Sequence, residues 1–280
     1  MTDKAGKFPA IHSLADATSF VERSGVALAF ASDDIVLPSL WEAAYGEREL
    51  VVFRLDERGT RVLTDELKHV WSLKNQLGAE RRACVGKHVR RRVALIALAL
   101  LPAFYALTAR AGTSDDFRAE ELSPLERELA DALLATEPQT APDLRALTGV
   151  GDSKATKRAL ESLQQRLIVT QAGEAEQEHG WDAAVFDLVA RRYRSHLRQL
   201  PAVEEARTDI ATVVLTAAGE LSAADLAAVI PGSRKEAEAT LHRLADEGRA
   251  APRVDEEITL WSRRGCESSA DGGRGRASRC

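Results

Sequence analysis

The chain has 280 residues, of which 45% are hydrophobic and 29% charged, with a formal net charge of −5 at pH 7. This length is enough for two or three small domains, each with its own core. The acidic balance excludes a protein that coats nucleic acid over its whole surface, so any nucleic-acid site must be local.

Features that the sequence lacks constrain its compartment and its cofactors. Cys84, Cys266 and Cys280 are widely spaced and suggest neither a disulfide framework nor a zinc motif. The first residues lack the charged-then-apolar layout of a secretory signal. The apolar run Val93–Leu107 is shorter than a bilayer-spanning helix and contains Pro102. We therefore predict a cytoplasmic protein with no membrane partner, in which this run is buried core.

Residues 13–110 are predicted to form a first domain, after an N-terminal arm at residues 1–12. The predicted elements are a helix capped by Ser13, a strand at residues 26–30, a helix with Pro38 in its first turn, strands at residues 50–55 and 60–63, and a helix capped by Thr64. Helices and a hairpin in this order fit a winged-helix-like domain.

Residues 81–92 carry the densest positive charge of the chain and contain no acid. This basic segment consists largely of Arg81, Arg82, Lys87, His88, Arg90, Arg91 and Arg92. One interpretation is contact with nucleic-acid phosphates, to which each cation adds a sequence-independent, salt-sensitive contribution. The other is a loop whose cations pair with acidic neighbours, as most charge runs do. The units that follow favour phosphate contact.

Residues 111–122 are rich in Gly, Ser, Asp and Glu and are predicted to be a linker. Residues 123–180 then give a helix, a short helix, a longer helix and a strand. The first helix starts with a capping box at Ser123, followed by proline, and the second starts at Thr140. This order is typical of a winged helix-turn-helix.

The longer helix of this unit follows Asp152, its predicted N-cap. Its apolar residues Ala159, Leu160, Leu163 and Leu167 share one face, and Lys154, Lys157 and Arg158 lie on the others. This pattern fits a DNA-recognition helix. It fits equally well an amphipathic helix whose charges are only solvated.

Residues 181–205 are predicted to be a connecting basic helix, running from Trp181 to Leu200. It would either lie along a phosphate backbone or pack across two domains. Residues 206–262 repeat the three-helix order, which indicates a tandem array whose last copy has a nearly neutral third helix. The tail, residues 263–280, has little apolar content and is predicted to be disordered.

Motifs for enzyme chemistry are scarce. The sequence has no glycine-rich phosphate loop, no Gly-x-Ser-x-Gly elbow and no histidines at metal-ligand spacing, so we expect neither a cofactor nor a metal. The adjacent carboxylates Asp33 and Asp34 are candidates for acid–base chemistry, although such pairs are more often solvated. Trp41 and Trp71 are candidates for base stacking, although they are more often core anchors.

Several segments together resemble bacterial winged-helix proteins related to the AlkZ/YcaQ DNA glycosylases. They are SLADATSFVERSGVAL, DDIVLPSLWEAAYG, VWSLKNQL, ERRACVGKHVRRR, LLPAFYAL and SPLERELADALL, and the resemblance covers roughly residues 13 to 172. It implies tandem winged helices around a DNA channel and removal of alkylated or crosslinked bases. In that family a Gln-x-Gln or Gln-x-Asp motif positions the hydrolytic water.

The chain departs from this family at the chemistry. When LAFASDDIV is laid on the motif, Ala29 and Ala31 take the places of the two polar catalytic residues. Alanine neither holds nor deprotonates water, so the family's hydrolysis requires a relocated base at Asp33 or Asp34. In VWSLK, Lys74 takes the place of an acid in the family's Trp-x-His-Glu stretch. Trp41, Trp71 and Lys74 are therefore candidates for a base-binding pocket.

We therefore predict a mainly α protein with short β-wings (α+β), built from tandem winged helix-turn-helix domains. The leading function is binding of double-stranded or damaged DNA without AlkZ-type catalysis. The predicted DNA contacts are Lys154, Lys157 and Arg158 at or near the groove, and Arg81, Arg82, Lys87, His88, Arg90 and Arg91 on the backbone. One alternative is a glycosylase acting on alkylated or crosslinked bases. The other is a winged-helix scaffold or transcriptional regulator.

Overall fold

The computed structural model describes residues 11–46, 49–176, 182–255 and 258–264. The helices are α1 (Leu14–Ser24), α2 (Leu40–Tyr45), α3 (Asp65–Ala79), α4 (Leu101–Ala106), α5 (Pro124–Ala135), α6 (Ala141–Thr148), α7 (Ser153–Gln165), α8 (Val189–Arg192), α9 (Val203–Ala218), α10 (Ala223–Val229) and α11 (Arg234–Asp246). The strands are β1 (Val26–Leu28), β2 (Phe53–Leu55), β3 (Arg61–Leu63), β4 (Ala83–Val89), β5 (Arg92–Ala97), β6 (Gln139–Thr140), β7 (Val169–Ala175), β8 (Ala183–Leu188), β9 (Glu220–Ser222), β10 (Ala250–Asp255) and β11 (Ile258–Arg263). Most of the predicted arm and tail lies outside the described residues.

A six-stranded antiparallel sheet joins the first half of the chain to the second. Its strand order is β1-β5-β4-β7-β8-β6, and the connection between the halves is the pairing of Val85 in β4 with Gln171 in β7. The fold is therefore mixed α/β with antiparallel sheets. The sheet is larger than the short wings expected from the sequence because strands distant in the chain add to the same ladder.

The same order of elements occurs twice in the second half. Helix, short strand, helix, helix and two long strands describe both α5-β6-α6-α7-β7-β8 and α9-β9-α10-α11-β10-β11. The strand order also agrees, because β7-β8-β6 in the large sheet corresponds to β10-β11-β9 in a separate sheet. In both units a capping box starts the middle helix, at Thr140 in one and Ser222 in the other. We call these the first and second repeat units.

Three buried apolar clusters hold these elements together. One packs α1 and α3 against β5, around Phe20, Leu77 and Leu95. Another fills the first repeat unit around Leu133 and Leu163. The largest connects α4, α8 and the second repeat unit. The apolar run from Val93 to Leu107 is confirmed as core, since β5 and α4 lie within it and most of its residues are buried.

The predicted connecting helix over Trp181–Leu200 is wrong. Residues Ala183–Leu188 form β8 instead, and the helix that follows is limited to Val189–Arg192. Phe186 and Leu188 of this strand are buried in the core of the first repeat unit, and their burial outweighs the arginines that suggested a helix. Asp187 is also buried, and it pairs with Arg191 at 2.6 Å.

The predicted linker at residues 111–122 is a packed segment. Phe117 is fully buried on a short 3₁₀ helix at Asp116–Ala119. Asp116 accepts a hydrogen bond from the Tyr105 hydroxyl, and the buried guanidinium of Arg110 lies 2.9 Å from the Glu120 carboxylate. The polar composition that indicated a linker therefore serves an internal ion-pair network.

Two further predictions from the sequence concern the start of α2 and the hairpin that follows it. Helix α2 begins at Leu40 with Ser39 as its N-cap, so Pro38 precedes the helix and does not lie in its first turn. The hairpin expected between residues 50 and 63 is present as β2 and β3. Within the described residues, no helix has the length and apolar character needed to cross a membrane.

Candidate nucleic-acid interface

The basic segment 81–92 folds mainly as the β4–β5 hairpin. Its strands are joined at Arg90 and Arg91, which both have positive φ, at 41° and 64°. Two-residue hairpin turns of this kind usually contain Asn or Gly, because other side chains are strained at positive φ. Two arginines at such a turn are unusual, and they project basic side chains from the end of the hairpin.

Most cations of the hairpin are paired with acids inside the protein. Arg82 lies 3.7 Å from Glu80, and Arg92 lies 3.4 Å from Asp34. Lys87 forms an ion pair with Glu161 of α7, and the same carboxylate lies 2.8 Å from Arg91. Within the described residues, no carboxylate lies within 4.0 Å of Arg81 or Arg90. The paired alternative considered for this segment therefore applies to four of its cations.

Glu161 is a largely buried acid that stays ionised. Burial works to raise the pKa of its carboxyl, but hydrogen bonds from Arg91 and Lys87 hold that pKa below its usual value. One carboxylate thereby pairs with two cations, and the cluster keeps one net positive charge. The contact also holds the hairpin against the C-terminal half of α7.

His88 points into the protein and is not available for the phosphate contact expected of it. Its Nδ1 donates to the backbone carbonyl of Gln164 at 2.6 Å, and its Nε2 lies 3.5 Å from the Sγ of Cys84. Burial lowers the pKa of His88 to about 4, so the ring is neutral at pH 7. Gly86 makes room for it, since a Cβ there would lie 2.7 Å from Nε2.

Helix α7 presents three cations on its first two turns. Asp152 caps the helix by accepting hydrogen bonds from two backbone N–H groups, as predicted. Lys154, Lys157 and Arg158 are exposed, and no carboxylate of the described residues lies within 4.0 Å of their charged groups. These side chains therefore carry charge that the protein itself does not neutralise.

A cleft of about 460 Å³ lies between α6, α7, β8 and β4. Its lining brings together Lys87, Lys154 and Lys157, which the sequence placed in separate groups. The lining also includes Leu160, which the sequence placed on the apolar face of α7, and residues not singled out from the sequence, namely Arg145, Gln164, Gln171, Ala184 and Phe186. We call this cleft the α7 groove. The α7 groove could not be predicted from residue spacing, because the lining residues of β4 and β8 come from distant parts of the chain.

A chain of polar contacts runs from the lining of the α7 groove to the buried Lys74. Lys87 N and Gln171 Nε2 both donate to the Oε1 of Gln164, at 3.0 and 3.3 Å. The Nζ of Lys74 donates to Gln171 Oε1 at 3.3 Å and lies 4.3 Å from the ring centre of Trp71. Burial lowers the pKa of Lys74 to about 8. Through its hydrogen bond to Gln171, Lys74 helps to hold the amide of Gln171 against that of Gln164.

The two tryptophans have different environments. Trp41 is 3% exposed, and its indole N–H donates to the carbonyl of Glu49 at 3.1 Å, as a core anchor does. Trp71 is 43% exposed and lies 6.3 Å from the ring of Phe30. Of the two, only Trp71 has a surface on which a base can stack.

The candidate acids Asp33 and Asp34 lie on an exposed turn. A hydrogen bond from Ser32 and the nearby Arg92 hold the pKa of Asp34 below its ordinary value, which makes its carboxylate a weak base. Ala29, at the first motif position, is fully buried. In the described part of the chain, no group of three or more His, Cys, Asp or Glu side chains is arranged to hold a metal.

Comparison with known proteins identifies the family of the sequence. A sequence model described as "AlkZ related" matches residues 11–230, which is well over half of the chain. The chain belongs to the AlkZ-related family. A search of curated proteins found no match.

Two solved structures are similar. Streptomyces sahachiroi DNA glycosylase AlkZ matches with a TM-score of 0.52 at 14% identity, over 91% of this chain and 65% of that one. At this identity the match shows the fold, and this chain spans about two thirds of that protein's length. The DIP2311 protein of Corynebacterium diphtheriae matches with 18% identity over 72% of this chain and 37% of that one, at a TM-score of 0.22.

Proposed function

We propose that this protein binds DNA through the first two turns of α7. The observation that carries the proposal is the exposed, unpaired charge of Lys154, Lys157 and Arg158 in a protein whose net charge is −5. A local cluster of free cations in an acidic protein suits a polyanion. In the proposed complex, the DNA phosphates supply the anionic partners that these three side chains lack within the described residues.

The repeat units support the same proposal. Helix, strand, helix, helix and two strands is the element order of a winged helix-turn-helix, in which the third helix contacts DNA. We therefore infer tandem winged helices with α7 as the contacting helix. In the second unit Arg243 of α11 pairs with Glu204, and the acids of α11 offset its other cations, so this copy is structural.

The accessible part of α7 limits how DNA is bound. The β4–β5 hairpin covers Glu161 and Gln164, so only the first two turns of α7 are free to approach a groove of the DNA. Arg81 and Arg90 are free to contact the DNA backbone beside it. The proposed ligand is double-stranded or damaged DNA, and the proposed location is the bacterial cytoplasm.

The proposed activity is binding without AlkZ-type hydrolysis. The side chains of Ala29 and Ala31 have no polar atom with which to position water, and Asp34 is engaged by Ser32 and Arg92. The structural relative is a DNA glycosylase, and this chain keeps its fold. The polar residues at the aligned motif are not kept.

A gel shift with a generic duplex at low and at high salt tests the proposal. We expect a shifted band at low salt that weakens as salt rises, because phosphate contacts release counterions. Absence of a shift at low salt would contradict DNA binding and favour the protein-scaffold function.

A further inference from the structure

We propose that the α7 groove binds unpaired nucleotides of a single DNA strand. This inference rests on the proposed DNA binding and specifies which form of DNA the surface prefers. The groove has the volume of a small-molecule site, about 460 Å³, and it is open to solvent. It therefore admits one or two nucleotides and excludes a double helix.

The rim of the groove suits the phosphates of such a strand. Lys154 and Lys157 lie along α7, and Arg145 of α6 lies across from them. Glu161 is the one acid among the lining residues, and Lys87 and Arg91 already occupy its carboxylate. A phosphate at the rim therefore meets free cations and no free acid.

The inner surface of the groove suits a base. Phe186, Leu160 and Ala184 supply apolar contact for a planar ring. The side-chain amides of Gln164 and Gln171 each have two N–H donors, of which one is used, toward the Leu160 carbonyl and toward Gln164 Oε1 respectively. Both residues line the groove, and in the proposed complex the second N–H of each donates to an acceptor atom on a base edge.

The cationic rim and the apolar inner surface of the α7 groove can both be contacted only by a strand whose bases are unpaired. In a closed duplex the base faces are stacked inside the helix, so they cannot contact the inner surface of the α7 groove. An unpaired nucleotide satisfies the rim and the inner surface at once, which is the pattern of single-strand grooves. The groove therefore favours gaps, flaps or melted sites over intact duplex.

The test measures fluorescence anisotropy of a labelled thymidine oligomer of about 16 nucleotides and of a duplex of equal length. We compare Lys157→Glu, inside the groove, with Arg158→Glu, the same charge change one residue outside it. Lys157→Glu should weaken binding to the single strand about tenfold more than Arg158→Glu does. Both substitutions should weaken duplex binding by similar factors.

A second pair of variants tests the inner surface. Ala184→Trp fills the groove and should lower the preference for single strand over duplex about tenfold. Ala183→Trp, on the other face of β8, should leave that preference unchanged. Circular dichroism spectra and thermal unfolding of both variants confirm that each is folded.

The outcomes separate the two proposals. Equal losses of single-strand binding in Lys157→Glu and Arg158→Glu, with no effect of Ala184→Trp, would overturn the groove proposal and leave duplex binding standing. Failure to bind either oligomer at low salt would overturn the proposed function itself. Free thymidine monophosphate at about 1 mM should not displace the strand, and displacement far below that concentration would identify a free-nucleotide site.

Discussion

Lys87 of β4 and Glu161 of α7 form an ion pair across 74 residues of sequence, and Arg91 shares the same carboxylate. The pair holds the β4–β5 hairpin over the C-terminal half of α7. The Glu161 carboxylate thereby engages two cations, Lys87 and Arg91, that lie near the unpaired charges of Lys154 and Lys157. In the proposed complex, DNA phosphates would therefore compete with Glu161 for Lys87 and Arg91.

Replacement of Glu161 by Gln should strengthen DNA binding. The substitution keeps a side chain of similar size and frees Lys87 and Arg91 for phosphates. The plot of log affinity against log salt should steepen by up to about 2, because each phosphate contact on duplex DNA contributes about 0.9 to the slope. Glu128→Gln on α5 is the control, since it removes an equal charge from an exposed site without an ion pair in the described residues. Affinity unchanged from wild type would show that the hairpin cations do not reach DNA.

His88 should make folding stability depend on pH. The pKa of its ring is about 4 in the folded protein and 6.5 ordinarily, so the unfolded chain takes up the proton first. Its contribution is therefore complete above pH 6.5 and is lost as the pH falls toward 4, by up to about 3 kcal/mol. Urea unfolding at pH 7 and pH 4.5 measures the loss.

His88→Asn supplies the comparison for that pH effect. The Asn amide can donate to the Gln164 carbonyl, as Nδ1 does, but it does not titrate. The variant should therefore lose less stability than wild type between the two pH values. His196→Asn alters an exposed histidine and should behave as wild type. A wild-type loss equal to that of His88→Asn would refute a buried, neutral His88.

The local elements of this fold follow from local sequence signals. Ser13, Thr64, Ser123 and Thr140 cap helices as predicted, because a capping side chain needs only the next turn of its own helix. The strand after α7 was also predicted, because it too depends on a local sequence signal. The six-stranded sheet was not, because the pairing of Val85 with Gln171 depends on contacts between distant segments. Local patterns contain no information about that register.

The candidate site was predictable only in part. Lys154 and Lys157 stand out in the sequence because helical spacing keeps them off the apolar face of α7. The sequence does not show that Glu161 takes up Lys87, or that His88 turns inward over Gly86. Those outcomes depend on how β4 packs against α7. Charge density along the chain therefore overestimated the free charge of the hairpin.

Hydrolysis of damaged bases should be absent. Asp34 is held by Ser32 and Arg92, and its lowered pKa leaves it a poor proton acceptor. Incubation with alkylated DNA, followed by heating to break abasic sites, should give equal strand breaks with wild type and with Asp34→Asn. Excess breaks with wild type that disappear in Asp34→Asn would instead establish a glycosylase with a relocated base.

The salt dependence of duplex binding by a Lys154→Glu, Lys157→Glu double variant tests DNA contact by α7 most directly. Lys235→Glu is a control for the effect of one charge reversal elsewhere, at an exposed lysine on α11 of the second repeat unit. We predict that the double variant binds at least about tenfold more weakly and that its slope of log affinity against log salt is flatter by about 2, whereas Lys235→Glu matches wild type. Equal affinity and slope in wild type and the double variant would contradict DNA binding through α7.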